Sequence, residues 1–251
     1  MRFSYSAIWE DTVRLLRAHA SLAAALAGVF LFLPSLLTSH FLPFPTPSDP
    51  ADVTRQFSEY FSTNAHWIAL SGIIGMVGTL SILFLVFRTP GIAVGGAIAA
   101  GFALLPFYFI ANFLTVIPIV IGLMLFIIPG LYLIGRFLPL APVMVAQGER
   151  NPLTAIARTW ALTRGRGWAV TGLFILVCIG GFVLSSVISG IIVVILRVAL
   201  PENISTLLGL IVSAAASTIL QMVLIFLYAA IYRALSVRHE ASAQAPPTSG
   251  I

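Results

Sequence analysis

The chain has 251 residues, of which 59% are apolar and only 8% charged, and its mean hydropathy is +1.06. Soluble domains carry charge on about a quarter of their residues, so this composition excludes a soluble globular protein. Long charge-free intervals leave room for the ~20 apolar residues of a membrane-spanning helix, and no period-two alternation marks β-strands. We therefore predict an all-α, polytopic transmembrane helical bundle of about six spans with additional interfacial amphipathic helices.

The first third of the chain contains two amphipathic segments, each followed by a predicted span. Residues 4–18 repeat apolar side chains at helical spacing opposite charged ones, a pattern typical of a helix in the membrane interface. Trp9 is placed at headgroup level, and the first span covers about 20–40. After a proline-rich loop, a short amphipathic stretch around Phe57 leads to a second span at about 65–87.

The interval from Arg88 to Glu149 is long enough for three crossings. The positions of the arginines favour two, because both ends of the interval are expected on the same side of the membrane and an even number of crossings is then required. The loop that follows this interval is rich in arginine, and the positive-inside rule places that loop on the same side as Arg88. We therefore predict spans at about 103–125 and 128–147. Residues 90–102 are then a short interfacial or re-entrant helix on the cytoplasmic side.

The last two spans are predicted at about 168–195 and 205–232, which completes a single integral membrane domain over residues 1–240. The polar, proline-containing segment 241–251 is predicted to be disordered. Ten of the thirteen arginines then lie on one side, which the positive-inside rule makes the cytoplasmic side of both termini. The absence of lysine points to a GC-rich bacterial genome and so to a bacterial inner membrane. The same arginine bias explains the net charge of +5 without a nucleic-acid partner.

Arg136 is the only charged residue between Arg88 and Glu149, and both flanks are apolar. An intramembrane charge is costly, so it marks a candidate functional site. Two kinds of role are open for Arg136. In a structural role it binds a backbone carbonyl freed by Pro139 or Pro142, or extends toward one membrane surface; in a functional role it contacts a cargo or a lipid. Further candidate residues are the intramembrane amides and a predicted helix break ahead of the arginine: Asn112, Gln221, Pro129 and Gly130.

A short helix is predicted over residues 151–165 on the inner membrane surface. Asn151 is a good N-cap, Pro152 suits the first helical position, and Gly165 is placed to end the helix. The arginines and tryptophans around this helix are predicted to bind lipid headgroups, anionic ones above all, and they are Arg150, Arg158, Arg164, Arg166, Trp160 and Trp168.

Two stretches carry a family resemblance: Pro129 to Tyr132 with Arg136, and Ala155 to Gly165 with Trp168. At these residues the chain resembles the membrane domain found in glycerophosphoryl diester phosphodiesterases and in stand-alone bacterial relatives. Relatives usually carry serine where Thr159 stands. The resemblance implies a multi-helix integral membrane domain of unestablished molecular role, without the catalytic barrel of the fusion partners.

No acid–base pair, nucleophile elbow or phosphate-binding loop appears in the sequence, so we predict no enzyme activity, no cofactor and no metal site. Two functions are open. In the first, the chain is a non-catalytic membrane module that packs against lipid, a partner protein or a second copy. Alternatively, it is a small-solute or lipid transporter that uses Arg136 as an anion site, which requires an aqueous path lined by Arg136, Asn112 and Gln221.

Overall fold

The computed structural model describes residues 4–47, 49–88 and 93–243, with side chains described as far as Val237. This part of the chain contains nine α-helices, a π-helical turn over Gly28–Phe32 and a 3-10 turn over Pro50–Asp52, and no strand. The α-helices are α1 (Tyr5–Ala27), α2 (Leu33–Phe41), α3 (Val53–Phe87), α4 (Val94–Leu125), α5 (Ile127–Phe137), α6 (Leu140–Gln147), α7 (Pro152–Leu162), α8 (Gly167–Ala199) and α9 (Glu202–Ala243).

Six helical segments of the described residues are long and apolar enough to cross a membrane. They are Tyr5–Phe41, Pro50–Phe87, Val94–Leu125, Ile127–Gln147, Gly167–Ala199 and Glu202–Val237. The predicted fold class, an all-α bundle with six spans, is therefore confirmed. The spans are longer than predicted because most of them continue beyond the apolar core of the segment into its polar flanks.

The amphipathic segment 4–18 is not a separate interfacial helix, and this prediction was wrong. The segment 4–18 continues without interruption into the first span, since the alanine-rich sequence up to Ala27 contains no helix breaker. Ile8 and Thr12 are buried against the bundle, and Asp11 pairs with Arg233 of α9 at 3.6 Å. The stretch around Phe57 likewise belongs to the single helix α3.

The separate helix predicted over 90–102 is also absent, because α4 runs unbroken from Val94 to Leu125. Residues 90–92 lie outside the described part of the chain. Of the glycines that suggested a break, Gly101 instead allows close packing. A Cβ atom at Gly101 would lie only 3.3 Å from the Val77 carbonyl oxygen and from the Ser81 amide nitrogen of α3.

The break between the third and fourth spans lies at Phe126, three residues before the predicted position at Pro129-Gly130. Phe126 has extended backbone angles (φ −154°, ψ 137°) and separates α4 from α5. Pro129 fits the first turn of α5, where backbone amides have no partner within the helix. Gly130 lets the two helices touch, since a Cβ atom there would lie 2.7 Å from the Leu123 amide nitrogen.

One end of the bundle collects most of the polar cross-helix contacts. The rings of Phe87 and Tyr232 lie 5.5 Å apart, and the Gln147 amide donates to the Tyr232 hydroxyl at 3.4 Å. These contacts and the Asp11–Arg233 pair join α1, α3, α6 and α9 beside the surface helix α7. We refer to this end, which contains Asp11, Phe87, Gln147 and Arg233, as the arginine end.

The C-terminal helix α9 continues to Ala243, so residues 241–243 are helical and not disordered as predicted. Alanine at positions 241 and 243 favours continuation of a helix, and the first proline comes only afterwards. The remaining residues of the predicted tail, 244–251, lie outside the described residues.

Candidate functional site: the junction of α5, α7 and α8

Arg136 lies in the last turn of α5 and is buried, with only 3% of its surface exposed. Its guanidinium reaches the C-terminal end of the short helix α7. Nη2 donates to the Trp160 carbonyl oxygen at 2.8 Å, and Nη1 donates to the Thr163 carbonyl oxygen at 3.3 Å. The acceptors predicted from the sequence, carbonyls freed by Pro139 or Pro142, are therefore wrong, although a role in binding backbone carbonyls is observed.

The charge of Arg136 has no carboxylate partner among the described residues, and two other features stabilise it. The unpaired carbonyls at a helix C-terminus carry a partial negative charge, which attracts a cation. The guanidinium carbon also lies 3.8 Å from the centre of the Trp160 ring, a close cation–π contact. Arg136 therefore connects α5 to α7 through both the backbone and the side chain of the same turn.

Two hydroxyl side chains complete this turn of α7. Thr159 and Thr163 are fully buried. The Thr163 hydroxyl lies 2.9 Å from the Thr159 carbonyl oxygen and 3.3 Å from the Arg136 carbonyl oxygen, so it can donate to either acceptor. The Thr159 hydroxyl donates to the Ala155 carbonyl oxygen at 2.7 Å. The Thr159 hydroxyl is thus satisfied within α7.

The start of α8 crosses α5 at very short distance. A Cβ atom at Gly135 would overlap the Thr171 hydroxyl and lie 2.9 Å from the Thr171 Cα atom. A Cβ atom at Gly167 would lie 2.8 Å from Cδ of Arg136 and 2.9 Å from Cζ of Tyr132. Glycine at both positions therefore brings α8 directly onto the stem of the buried arginine.

The ends of α7 are capped as predicted. The Asn151 side chain accepts from the amides of Leu153 and Thr154 at 3.0 and 3.4 Å, and Pro152 is the first helical residue. The helix ends at Leu162, and Gly165 adopts a positive φ of 74° in the turn that leads to α8. Such a backbone conformation favours glycine.

The four arginines predicted to bind headgroups differ in their surroundings. Arg158 pairs with the Glu149 carboxylate at 2.9 Å and donates to the Gln147 side-chain oxygen at 2.9 Å. Arg150 and Arg164 are exposed and Arg166 is half-buried, and none of these three has an ion-pair partner among the described residues. Three cationic groups at the ends of α7 are therefore available to an anion.

The two predicted tryptophans lie beside the same helix and are both exposed. Trp160 packs between Arg136 and the Phe137 ring, whose centre is 5.7 Å away, and keeps 42% of its surface exposed. Trp168 contacts the Tyr132 ring at 5.2 Å and is 59% exposed. Leu153, at the other end of α7, is 67% exposed. Apolar and cationic groups thus share this surface, which we call the α7 surface: Arg150, Leu153, Trp160, Arg164, Arg166 and Trp168.

The predicted intramembrane amides do not join Arg136. Asn112 is half-buried and lines a separate cavity between α3, α4 and α9, where Arg136 is not a lining residue. Gln221, predicted to be buried, is exposed on the outside of α9. A path lined by Arg136, Asn112 and Gln221 together is not formed.

Comparison with known protein families adds one match. The family described as the membrane domain of glycerophosphoryl diester phosphodiesterase matches residues 101–242, which is more than half of the chain. The chain belongs to this family. The match covers α5, α7 and α8 and so includes the whole arginine junction, and with the six apolar helices it establishes a multi-pass membrane protein. No solved structure matches the chain.

Several residues of the junction were not predicted from the sequence. Thr163 was included only in the stretch Ala155 to Gly165 that carries the family resemblance, while Gly135, Gly167 and Thr171 had no predicted packing role. The available signal was the spacing of small residues on both sides of Arg136, since glycine permits close helix crossings in membranes. The partner of a glycine lies on another helix, however, and the sequence alone does not identify that helix.

Proposed function

We propose that this chain is a non-catalytic membrane module whose α7 surface binds anionic lipid headgroups. The supporting observation is that Arg150, Arg164 and Arg166 lack acidic partners in the described structure beside the exposed rings of Trp160 and Trp168. Arginine offers a fork of donors that suits phosphate oxygens, and tryptophan favours the headgroup region of a bilayer. Arg158 is left out of the proposal because Glu149 already neutralises it.

The proposal assigns Arg136 a positioning role. The buried guanidinium holds the C-terminal turn of α7 against α5, so that the adjacent Arg164 and Arg166 are presented at a fixed place. A helix as short as α7, with 11 residues, is marginal on its own and depends on such tertiary contacts. The proposed lipid contact and the contact with Arg136 thus both involve α7.

The orientation in the membrane is part of the proposal. The arginine end carries α7 and the ends of α3, α6 and α9, and we place this end, with both termini, on the cytoplasmic side of a bacterial inner membrane. The cytoplasmic leaflet is negatively charged, and each arginine close to it contributes about 1 kcal/mol of attraction. A protein partner or a second copy at the α7 surface is the competing assignment.

The transport alternative has no supporting observation, since its three polar residues do not line a common path. That the module is non-catalytic stays a prediction from the sequence, and the family match concerns the membrane domain of the phosphodiesterase.

Native mass spectrometry and thermal unfolding in nanodiscs test the proposed lipid contact. Phosphatidylglycerol should stabilise the wild type relative to phosphatidylcholine, and the triple variant Arg150→Gln/Arg164→Gln/Arg166→Gln should lose most of this preference. At about 1 kcal/mol per arginine, the preference should fall by a factor of roughly 100 in relative affinity.

The matched control is the double variant Glu149→Gln/Arg158→Gln, which removes an ion pair on the same surface without changing the net charge. This control should keep the preference for phosphatidylglycerol. A triple variant that retains the wild-type preference, or a wild type that responds equally to both lipids, would refute headgroup recognition by the α7 surface.

A further inference from the structure

A cavity of about 260 Å³ lies between α3, α4, the α5–α6 segment and α9, apart from the guanidinium of Arg136. Its lining contains no charged residue. Most of the lining is apolar. Five of the lining side chains can form hydrogen bonds, and they are Thr79, Tyr108, Asn112, Thr115 and Tyr228. Pockets that combine an apolar wall with a few convergent polar groups are the usual form of small-molecule sites.

The two threonines present acceptors to the cavity. The Thr79 hydroxyl donates to the Gly75 carbonyl oxygen at 2.9 Å, and the Thr115 hydroxyl donates to the Asn112 carbonyl oxygen at 2.8 Å. A hydroxyl has one proton to donate, so each threonine oxygen can only accept a further hydrogen bond. A ligand that meets these oxygens must therefore carry a donor.

Two further groups supply donors. The Tyr108 side chain interacts with that of Asn112, whose amide carries two N–H groups. The Tyr228 hydroxyl, half-buried beside Tyr108, has no hydrogen-bond partner among the described residues. Because Tyr228 lines the cavity, its hydroxyl can exchange a hydrogen bond with a hydroxyl group bound there.

The backbone beside the cavity is also incomplete. Leu138 lines the cavity, and the residue four positions later is Pro142, which has no amide to donate to the Leu138 carbonyl. Inside a membrane, broken helices occur where the freed groups are covered by protein or face a polar cavity. The break between α5 and α6 thus lies beside the cavity, and Pro142 leaves the Leu138 carbonyl without its usual helical donor.

We propose that this cavity binds a small neutral polyol, either free or as the glycerol headgroup of an uncharged lipid. Hydroxyl groups both donate and accept, which matches the threonine acceptors and the donors of Asn112 and Tyr228. An ion is disfavoured, because no lining residue carries a charge to offset its desolvation. The volume equals that of about eight liquid waters, which admits a three-carbon polyol.

Fluorine NMR on the full chain in nanodiscs tests the site. Genetically encoded 3-fluorotyrosine replaces Tyr228, and its resonance is followed while glycerol, 1-monooleoylglycerol or lactate is added. Glycerol or monooleoylglycerol should shift the resonance to saturation, and the arm that saturates identifies a free polyol or a lipid headgroup. Lactate, which is charged, should give no saturable shift.

Two near-isosteric variants and a second label provide the controls. Thr115→Val removes one acceptor, Asn112→Leu removes the amide, and each should raise the midpoint of the titration at least tenfold. Fluorotyrosine at Tyr60, whose hydroxyl donates to the Leu42 carbonyl oxygen at the opposite end of the molecule, should show only a linear solvent effect. If Asn112→Leu does not fold, Thr115→Val alone decides.

The proposal is overturned if neither polyol gives a saturable shift at position 228. It is equally overturned if lactate saturates as well as glycerol does, if the label at position 60 responds in the same way, or if Thr115→Val leaves the midpoint unchanged.

Discussion

At the scale of single residues, the contacts of Arg136 show how this protein stabilises a buried charge. Its guanidinium donates to the Trp160 and Thr163 carbonyl oxygens and, at 3.4 Å, to the Tyr132 hydroxyl, and the Trp160 ring covers it. Nε of Arg136 is buried without a partner, so the guanidinium is not fully satisfied. The carbonyls at the C-terminus of α7 and the Trp160 ring therefore stabilise the buried guanidinium, and both contacts depend on its planar shape.

Replacing this arginine should destabilise the protein. We expect Arg136→Met, which keeps the aliphatic stem, to lower the free energy of unfolding by about 2–4 kcal/mol, because hydrogen bonds to charged groups contribute about 1.5–3 kcal/mol. Arg136→Lys should recover only part of this loss. Arg55→Met is the control, since Arg55 is an exposed arginine in surface ion pairs and should matter by less than about 1 kcal/mol. Equilibrium unfolding in mixed micelles measures the stability of all three variants. An Arg136→Met variant as stable as the wild type would contradict the stabilising role of Arg136.

Between helices, the crossing of α5 and α8 is set by the absence of a side chain at Gly135. Thr171 lies where a Cβ atom would be, and its hydroxyl donates to the Gly167 carbonyl oxygen at 2.9 Å. The contact involves backbone atoms of Thr171, so rotation of a side chain does not relieve it. The same two helices carry Arg136 and Trp168, and their separation therefore sets the shape of the α7 surface.

The variant Gly135→Ala should lower the free energy of unfolding by about 1–3 kcal/mol, which is the typical cost of overpacking. Gly190→Ala on α8 is the matched control, because no atom lies within 4 Å of the position its Cβ would take. Alanine is the better helix former, so the control should be neutral or stabilising. Equal thermal stability of the two variants would show that the close crossing is not important for folding.

Across the whole molecule, we expect the six candidate spans to put the arginine end and the Asp49–Arg55 region on opposite sides of the membrane. Single cysteines test this arrangement in a Cys178→Ala background, with Ala157→Cys on α7 and Ser58→Cys on α3, both of which replace small exposed residues. An impermeant maleimide should label position 58 in intact cells and position 157 only after permeabilisation. The reverse pattern would invert the proposed topology.

The sequence predicted the spans and the α7 caps well, because apolar runs and N-cap chemistry are local signals. It predicted helix limits poorly, since Ala27 and Gly101 allow a helix to continue or to pack closely where a break was expected. Arg136 was identified as special, but its acceptors lie 24 and 27 residues further along the chain. The cavity at Tyr228 was not foreseen, because its lining comes from four separated segments.

The contact between the α7 surface and anionic lipid is tested most directly by tryptophan quenching. In the double variant Trp9→Phe/Trp67→Phe, the remaining fluorescence comes from Trp160 and Trp168, which both lie at this surface. Brominated phosphatidylglycerol should quench it more strongly than the same mole fraction of brominated phosphatidylcholine, because the arginines enrich the anionic lipid beside the two rings. Equal quenching by the two brominated lipids would contradict headgroup recognition at the α7 surface.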